Sequence, residues 1–202
     1  MGGTWLWIFA FFSMATNTPG SNVIASTSGN RIEINESVFN SYSSNLKILV
    51  IAHEVGHALG IGVWLSYVST TGGGVKYLSN TQFPKTAKAY IDNVRPSGVT
   101  VPGPPLENGG HGSGSDLVHW EDDPTYGMQK DLMIYRISSS ATVISIVDLT
   151  YLDEIGRKVD LSKAQSLSSK FYAVAQEFFY GKEECNHVCG TCEDCKHDHK
   201  HD

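Results

Sequence analysis

An apolar run that begins at Leu46 closes on His53-Glu54-Val55-Gly56-His57-Ala58-Leu59-Gly60, and this stretch restricts the fold more than any other. Ser43, Ser44 and Asn45 are N-cap residue types, and Gly60 stands where a left-handed residue would end a helix. The pattern therefore predicts one helix that starts after one of these caps and ends at Gly60. Residues four apart on a helix share a face, so His53 and His57 can each offer a ring nitrogen to one metal ion, with Glu54 beside it. Ile48, Ile51, Ala52, Val55 and Leu59 form a stripe at helical spacing that is expected to face the core, with His53, Glu54 and His57 off it. A solvated face would more usually carry Lys and Glu, whereas Leu49 and Val50 flank these three residues. Two neutral imidazoles suit Zn²⁺, and a catalytic zinc needs a third protein ligand and a position left for water. The same spacing also occurs in helices that hold no metal, so the third ligand has to come from elsewhere in the chain.

With 202 residues, 41% hydrophobic and 18% charged, the chain is large enough to bury a core and is not of disordered composition. A net charge of −6 argues against a nucleic-acid-binding surface, which would carry a basic stripe. Cys185, Cys189, Cys192 and Cys195 all lie in the last eighteen residues, so the body has no internal disulfide and must be held by packing and metal.

Trp5 to Phe12 is apolar, aromatic and β-branched, and is read as a buried strand before the turn at Thr18-Pro19-Gly20; the competing reading is a signal peptide with no basic residue before it. Asn22–Ser26 and Arg31–Asn35 read as strands around Ser28-Gly29-Asn30, and Asn35-Glu36-Ser37 matches a glycosylation acceptor. Residues from about 61 to 118 turn rich in Gly, Ser, Thr and Pro, with one amphipathic helix expected over Pro84–Val94; an insertion of this kind is expected to wall or cover a cleft. Thr142–Ile155 is apolar at helical spacing and stops at Gly156, and Lys163–Tyr180 carries a weaker helical pattern.

Downstream of the insertion stand His119-Trp120-Glu121 and Asp131-Leu132-Met133-Ile134-Tyr135. With His53 to Gly62 these segments resemble the metzincin zinc peptidases, whose motif has Gly three residues after the second histidine and a methionine-containing turn. The usual third histidine would fall at Val63. A long insertion before a His-Trp pair and a Leu-Met turn is instead similar to the leishmanolysin-like branch, in its cysteine-poor, bacterial-type form. Here His119 follows His57 by 62 residues and Met133 follows His119 by 14, with Leu106-Glu107-Asn108-Gly109-Gly110 just upstream. The resemblance covers roughly Trp5 to Val159.

That resemblance implies an α+β metzincin-type catalytic domain with a twisted sheet, an active-site helix, a long insertion and a Met-turn. It implies His53, His57 and His119 as ligands of one catalytic Zn²⁺, Glu54 as general base and Met133 as the turn methionine. His111, among glycines, is a competing third ligand, and Glu107 or Glu121 would make a two-histidine, one-glutamate site. Met133 is otherwise core filler. Tyr135 is either a transition-state stabiliser or a packed aromatic. The implied activity is zinc-dependent endopeptidase action on a peptide or protein substrate, in which Glu54 takes a proton from the attacking water and hands it to the leaving amine. The alternative is a non-catalytic metal-binding or surface protein that keeps the fold. The family points outside the cell or to its surface, although the chain shows no convincing signal.

The expected division is a catalytic domain over residues 1–160, a C-terminal helix over 161–181 and a Cys/His-rich tail over 182–202. In the tail, Cys185, Cys189, Cys192, Cys195, His197, His199 and His201 are read as a secondary metal site, with two disulfides or a disordered acidic end as the other readings.

Overall fold

The structure, a computed structural model, describes residues 13–16, 23–111, 115–137 and 142–165. It is mixed α/β. Strand β1 (Ser13–Thr16) runs parallel to β3 (Arg31–Ile34), and β2 (Ala25–Ser28) pairs antiparallel with β3 from Ala25↔Ile34 to Ser28↔Arg31, giving the order β1-β3-β2. The β2–β3 connection is the two-residue loop Gly29-Asn30, in which Gly29 takes φ +61°, a conformation open to glycine. Ile32 and Ile34 are buried, as their alternation with charged neighbours predicts. The acceptor-like Asn35 is only 2% exposed and accepts a hydrogen bond from the Ser37 hydroxyl, so it is a structural residue in the fold.

A short helical turn, α1 (Glu36–Phe39), leads to the central helix α2 (Ser44–Leu59). Ser43 caps it by accepting from Leu46 N–H, and Gly60 ends it at φ +120°. The buried face of α2 differs from the stripe read from its aliphatic residues. Leu49, Val50, Ala52, His53, Glu54 and Gly56 are buried, whereas Ile48, Ile51, Val55 and Leu59 are half-buried. The face bearing the motif is the one the fold covers, because β2 packs on the helix on that side and the Met133 side chain lies against Gly56.

The insertion holds more order than its composition suggests. A hairpin of β4 (Val68–Thr70) and β5 (Lys76–Leu78) turns through the triple glycine, and α3 (Pro84–Asn93) follows. Helix α3 packs on α4 (Ile146–Glu154), and their joint is specific. The Glu154 carboxylate accepts from Lys85 N–H, Thr86 N–H and the Thr86 hydroxyl, so α4 supplies the N-terminal cap that α3 lacks in its own sequence. Helix α4 starts four residues later than the apolar pattern, at a capping box in which Ser145 and Asp148 satisfy each other's backbone N–H groups. From its far end, Tyr151 and Arg157 donate to the carbonyls of Gly60 and Leu59 and so finish α2.

Aromatic packing joins these parts. Trp64 stacks on Trp120 with ring centroids 4.3 Å apart, Tyr151 meets Trp64 edge-on, and Phe83 meets Tyr151. Among the described residues no helix is long and apolar enough to cross a membrane. The Trp5–Phe12 strand, the turn after it, most of the expected 161–181 helix and the Cys/His tail lie outside the described residues; Leu161–Lys163 is a 3-10 turn.

Candidate metal centre

Helix α2 brings His53 and His57 onto one face, and their Nε2 atoms lie 3.0 Å apart. His119, 62 residues further on, completes a triangle, with its Nε2 3.1 Å from each of the other two. Each ring is fixed from behind. His53 Nδ1 lies 2.7 Å from the Leu132 carbonyl, His57 Nδ1 2.9 Å from that of Ile61, and His119 Nδ1 2.9 Å from that of Ser115. A carbonyl oxygen only accepts, so each Nδ1 carries the proton and each neutral ring turns its Nε2 lone pair inward.

Burial keeps the three rings neutral. His53 is held well below the usual histidine range, first by burial and then by His57 and His119; burial also lowers His57, and it lowers His119 to about 4 with help from His57. Three lone pairs therefore converge with no proton among them, an arrangement that is repulsive unless a cation sits between them. Tetrahedral Zn²⁺ at about 2.0–2.1 Å from nitrogen needs ligand atoms about 3.3 Å apart, close to the spacing seen. His53, His57 and His119 form a group that can hold a metal ion.

Glu54 is buried beside the ligands. Its Oε2 accepts from the Thr27 hydroxyl at 2.6 Å, and the same hydroxyl lies 3.0 Å from the Glu54 carbonyl. Burial raises the carboxyl above its ordinary range, and the Thr27 bond opposes that rise. Thr27 lies on β2, at the edge of the sheet, and no local pattern ties it to a residue 27 positions later. A cleft of about 760 Å³ opens beside His57, lined by Thr27, Val63, Phe83, Val118 and Tyr151 among others.

The segment carrying His119 is held by its neighbours. Trp120 N–H donates to the Met133 carbonyl, its indole N–H donates to Asp148 Oδ1 at 2.8 Å, and its ring stacks on Trp64, just past the end of α2. Met133 is 1% exposed, with its sulfur against Gly56, the residue directly before His57. Asp131 Oδ1 accepts Met133 N–H, shaping the turn from within. Gly62 takes φ +91° where a Cβ would lie 2.7 Å from the Val118 carbonyl and 3.0 Å from His57 Nδ1, so the chain there has room for glycine alone. Val63 is 75% exposed at the lip of the cleft.

The other candidates fall elsewhere. His111 stacks on Tyr135 at 4.0 Å, and the Tyr135 hydroxyl accepts from Arg136. Glu107 and Glu121 group with Asp122, apart from the histidines. Thr27, Trp64 and Asp148 support the centre without any motif to announce them, and Asp131, although it opens the Leu132-Met133 segment, shows its role only in the folded chain, where Asp131 and Asp148 stand at matched distances from Met133 and Trp120.

The described residues thus define a mixed α/β protein built around a three-histidine group on a helix and a distant loop. No family model, curated protein or solved structure matches the chain.

Proposed function

We propose that this protein is a zinc-dependent endopeptidase of the leishmanolysin-like metzincin type, with His53, His57 and His119 as the zinc ligands. The observation that carries the reading is the convergence of three proton-free Nε2 atoms 3.0–3.1 Å apart, next to a buried carboxylate on the same helix. Zinc bound there supplies Lewis acidity, which activates water near neutral pH and stabilises negative charge developing on a carbonyl oxygen. Thr27 occupies Glu54 Oε2, which leaves Oε1 to take the proton from the attacking water and to return it to the departing amine nitrogen. The Nδ1–carbonyl bonds keep the three rings aimed inward during turnover. The cleft beside His57 has room for a substrate side chain, and its edge strand β2 and apolar walls suit a peptide in extended form. By the same resemblance, the proposed site of action is outside the cell or at its surface.

Glu54→Gln tests the assignment. The variant is expected to keep the zinc content of the parent and to lose cleavage of an unfolded protein substrate by at least a hundredfold, the scale of a missing general base. Unchanged cleavage would sink the enzyme reading, and a parent that binds zinc but cleaves nothing would favour the non-catalytic metal-binding alternative.

A further inference from the structure

Away from the histidines, Glu107, Glu121 and Asp122 each bring a carboxylate oxygen to within 4.8 Å of the others. Glu107 is 1% exposed; its Oε1 accepts Gly109 N–H at 2.7 Å, while its Oε2 is buried without a hydrogen-bond partner among the described residues. A buried carboxylate oxygen left unpaired beside two further acids is costly, and a bound cation is one arrangement that offsets that cost.

The nearby cations do not fill this role. His111 Nε2 is 3.7 Å from Glu107 Oε1, beyond hydrogen-bond range, and its ring is engaged with Tyr135. The Arg136 guanidinium is exposed and donates to the Tyr135 hydroxyl. Asp123, next in the acidic run, is turned to its own backbone, accepting Thr125 N–H.

We propose that Glu107, Glu121 and Asp122 bind a calcium ion. The donor set is all carboxylate oxygen, the ligand type that hard cations favour, whereas zinc and copper favour nitrogen and sulfur. A Ca²⁺ shell with oxygens at 2.3–2.6 Å is about 5 Å across, wide enough to hold all three groups. Half-buried Glu121 and Asp122 leave one side open for the waters that complete six to eight ligands. The three residues come from the two paired segments joined at Leu106↔Trp120, where Glu107 N–H donates to the His119 carbonyl and Glu121 N–H to that of Pro105. The ion therefore ties together the two segments between which His119 is presented. This inference does not depend on the peptidase reading.

The test uses the full-length, zinc-loaded chain with Ca²⁺, Mg²⁺ and Tb³⁺ as probes. Terbium luminescence excited through tryptophan is expected to saturate at one site, with Trp120 as the neighbouring donor, and to be displaced by excess Ca²⁺. Thermal unfolding is expected to move up by several degrees with Ca²⁺ and much less with equal Mg²⁺. Glu121→Gln and Asp122→Asn are each expected to abolish the calcium-dependent rise. Because they remove repulsion, they should also match or exceed the parent's melting temperature in calcium-free buffer, which a purely structural loss would not produce. No calcium-dependent shift in the parent, an equal response to Mg²⁺, or an unchanged shift in both variants would overturn the proposal.

Discussion

Gly56 lies one turn beyond His53 and directly before His57, and its missing side chain is what lets the methionine turn approach the helix. A Cβ built there would collide with Met133 Sδ and lie 3.0 Å from Met133 Cε. Methionine is the most adaptable of large apolar residues, but this one is 1% exposed and its backbone is pinned by Asp131 below and Trp120 beside it. Gly56→Ala carries two opposed effects. Alanine favours the helix by about 1 kcal/mol, whereas overpacking costs about 1–3 kcal/mol. The packing term is expected to win, with a net loss of about 1 kcal/mol in urea unfolding. In the Met133→Ala background the clash is gone, so the same substitution should there become stabilising. A double-mutant cycle checks this, and additive effects would show that Met133 does not bear on Gly56. The same scale explains why the motif's glycines were legible while Thr27 was not. Gly60 and Gly62 sit beside the histidines in sequence, but the hydroxyl that holds Glu54 comes from a strand 27 residues upstream.

At the scale of elements, helices α2, α3 and α4 and the β2–β3 hairpin could be read from the chain because each is decided locally: Ser43 and Gly60 bound α2, Gly29 turns the hairpin, and Gly156 lies just past α4. The buried face of α2 and the β4–β5 hairpin could not. The former is decided by what packs on the helix, and the latter has strands of three residues, too short for alternation to show. Nor does any pattern reveal that the Met133 turn and the start of α4 meet through two buried carboxyls. Asp148 is raised to about 6, chiefly by burial, against hydrogen bonds with Trp120, Asp131 and Ser145. Asp131 is raised well above its ordinary value by burial and then by the charge of Asp148. Raised carboxyls mean that the folded state binds protons more tightly than the unfolded one. Their contribution is fully present below about pH 4 and is lost as pH rises through about 6 and beyond. Asp131→Asn keeps an oxygen for Met133 N–H and removes one of the two charges. Relative to the parent, the metal-free variant is expected to gain stability on the order of 1–3 kcal/mol between pH 4 and pH 8. Urea midpoints measured across that range check the slope; a constant difference between variant and parent would mean the pair does not titrate together.

Over the whole molecule, the three histidines bring a helix and a loop 62 residues away to one point, across an insertion with its own hairpin and helix. Metal-free, the site sets three Nε2 atoms 3.0–3.1 Å apart with no proton among them, and the stack of Trp64 on Trp120 together with the hydrogen bond from the Trp64 indole N–H to the Leu117 carbonyl must hold the two segments together against that repulsion. Zinc bound there as proposed would replace that repulsion with three bonds that the unfolded chain cannot make at once, so binding would add directly to folding stability. At free zinc one hundredfold above the dissociation constant the linkage is about 2.7 kcal/mol, and for a chain of this size that is about 5–10 °C in melting temperature. Chelation is expected to lower the melting temperature by that amount, and added zinc to restore it. A second zinc site elsewhere in the chain could produce a shift of its own, which makes His119→Ala the deciding comparison. This variant leaves His53 and His57 on the helix but removes the one ligand supplied from across the insertion. It should lose most of the zinc-dependent rise, because two imidazoles on a single helix no longer link distant parts of the chain. If His119→Ala retains the full rise, the stabilising zinc lies elsewhere and the long-range fastening is absent.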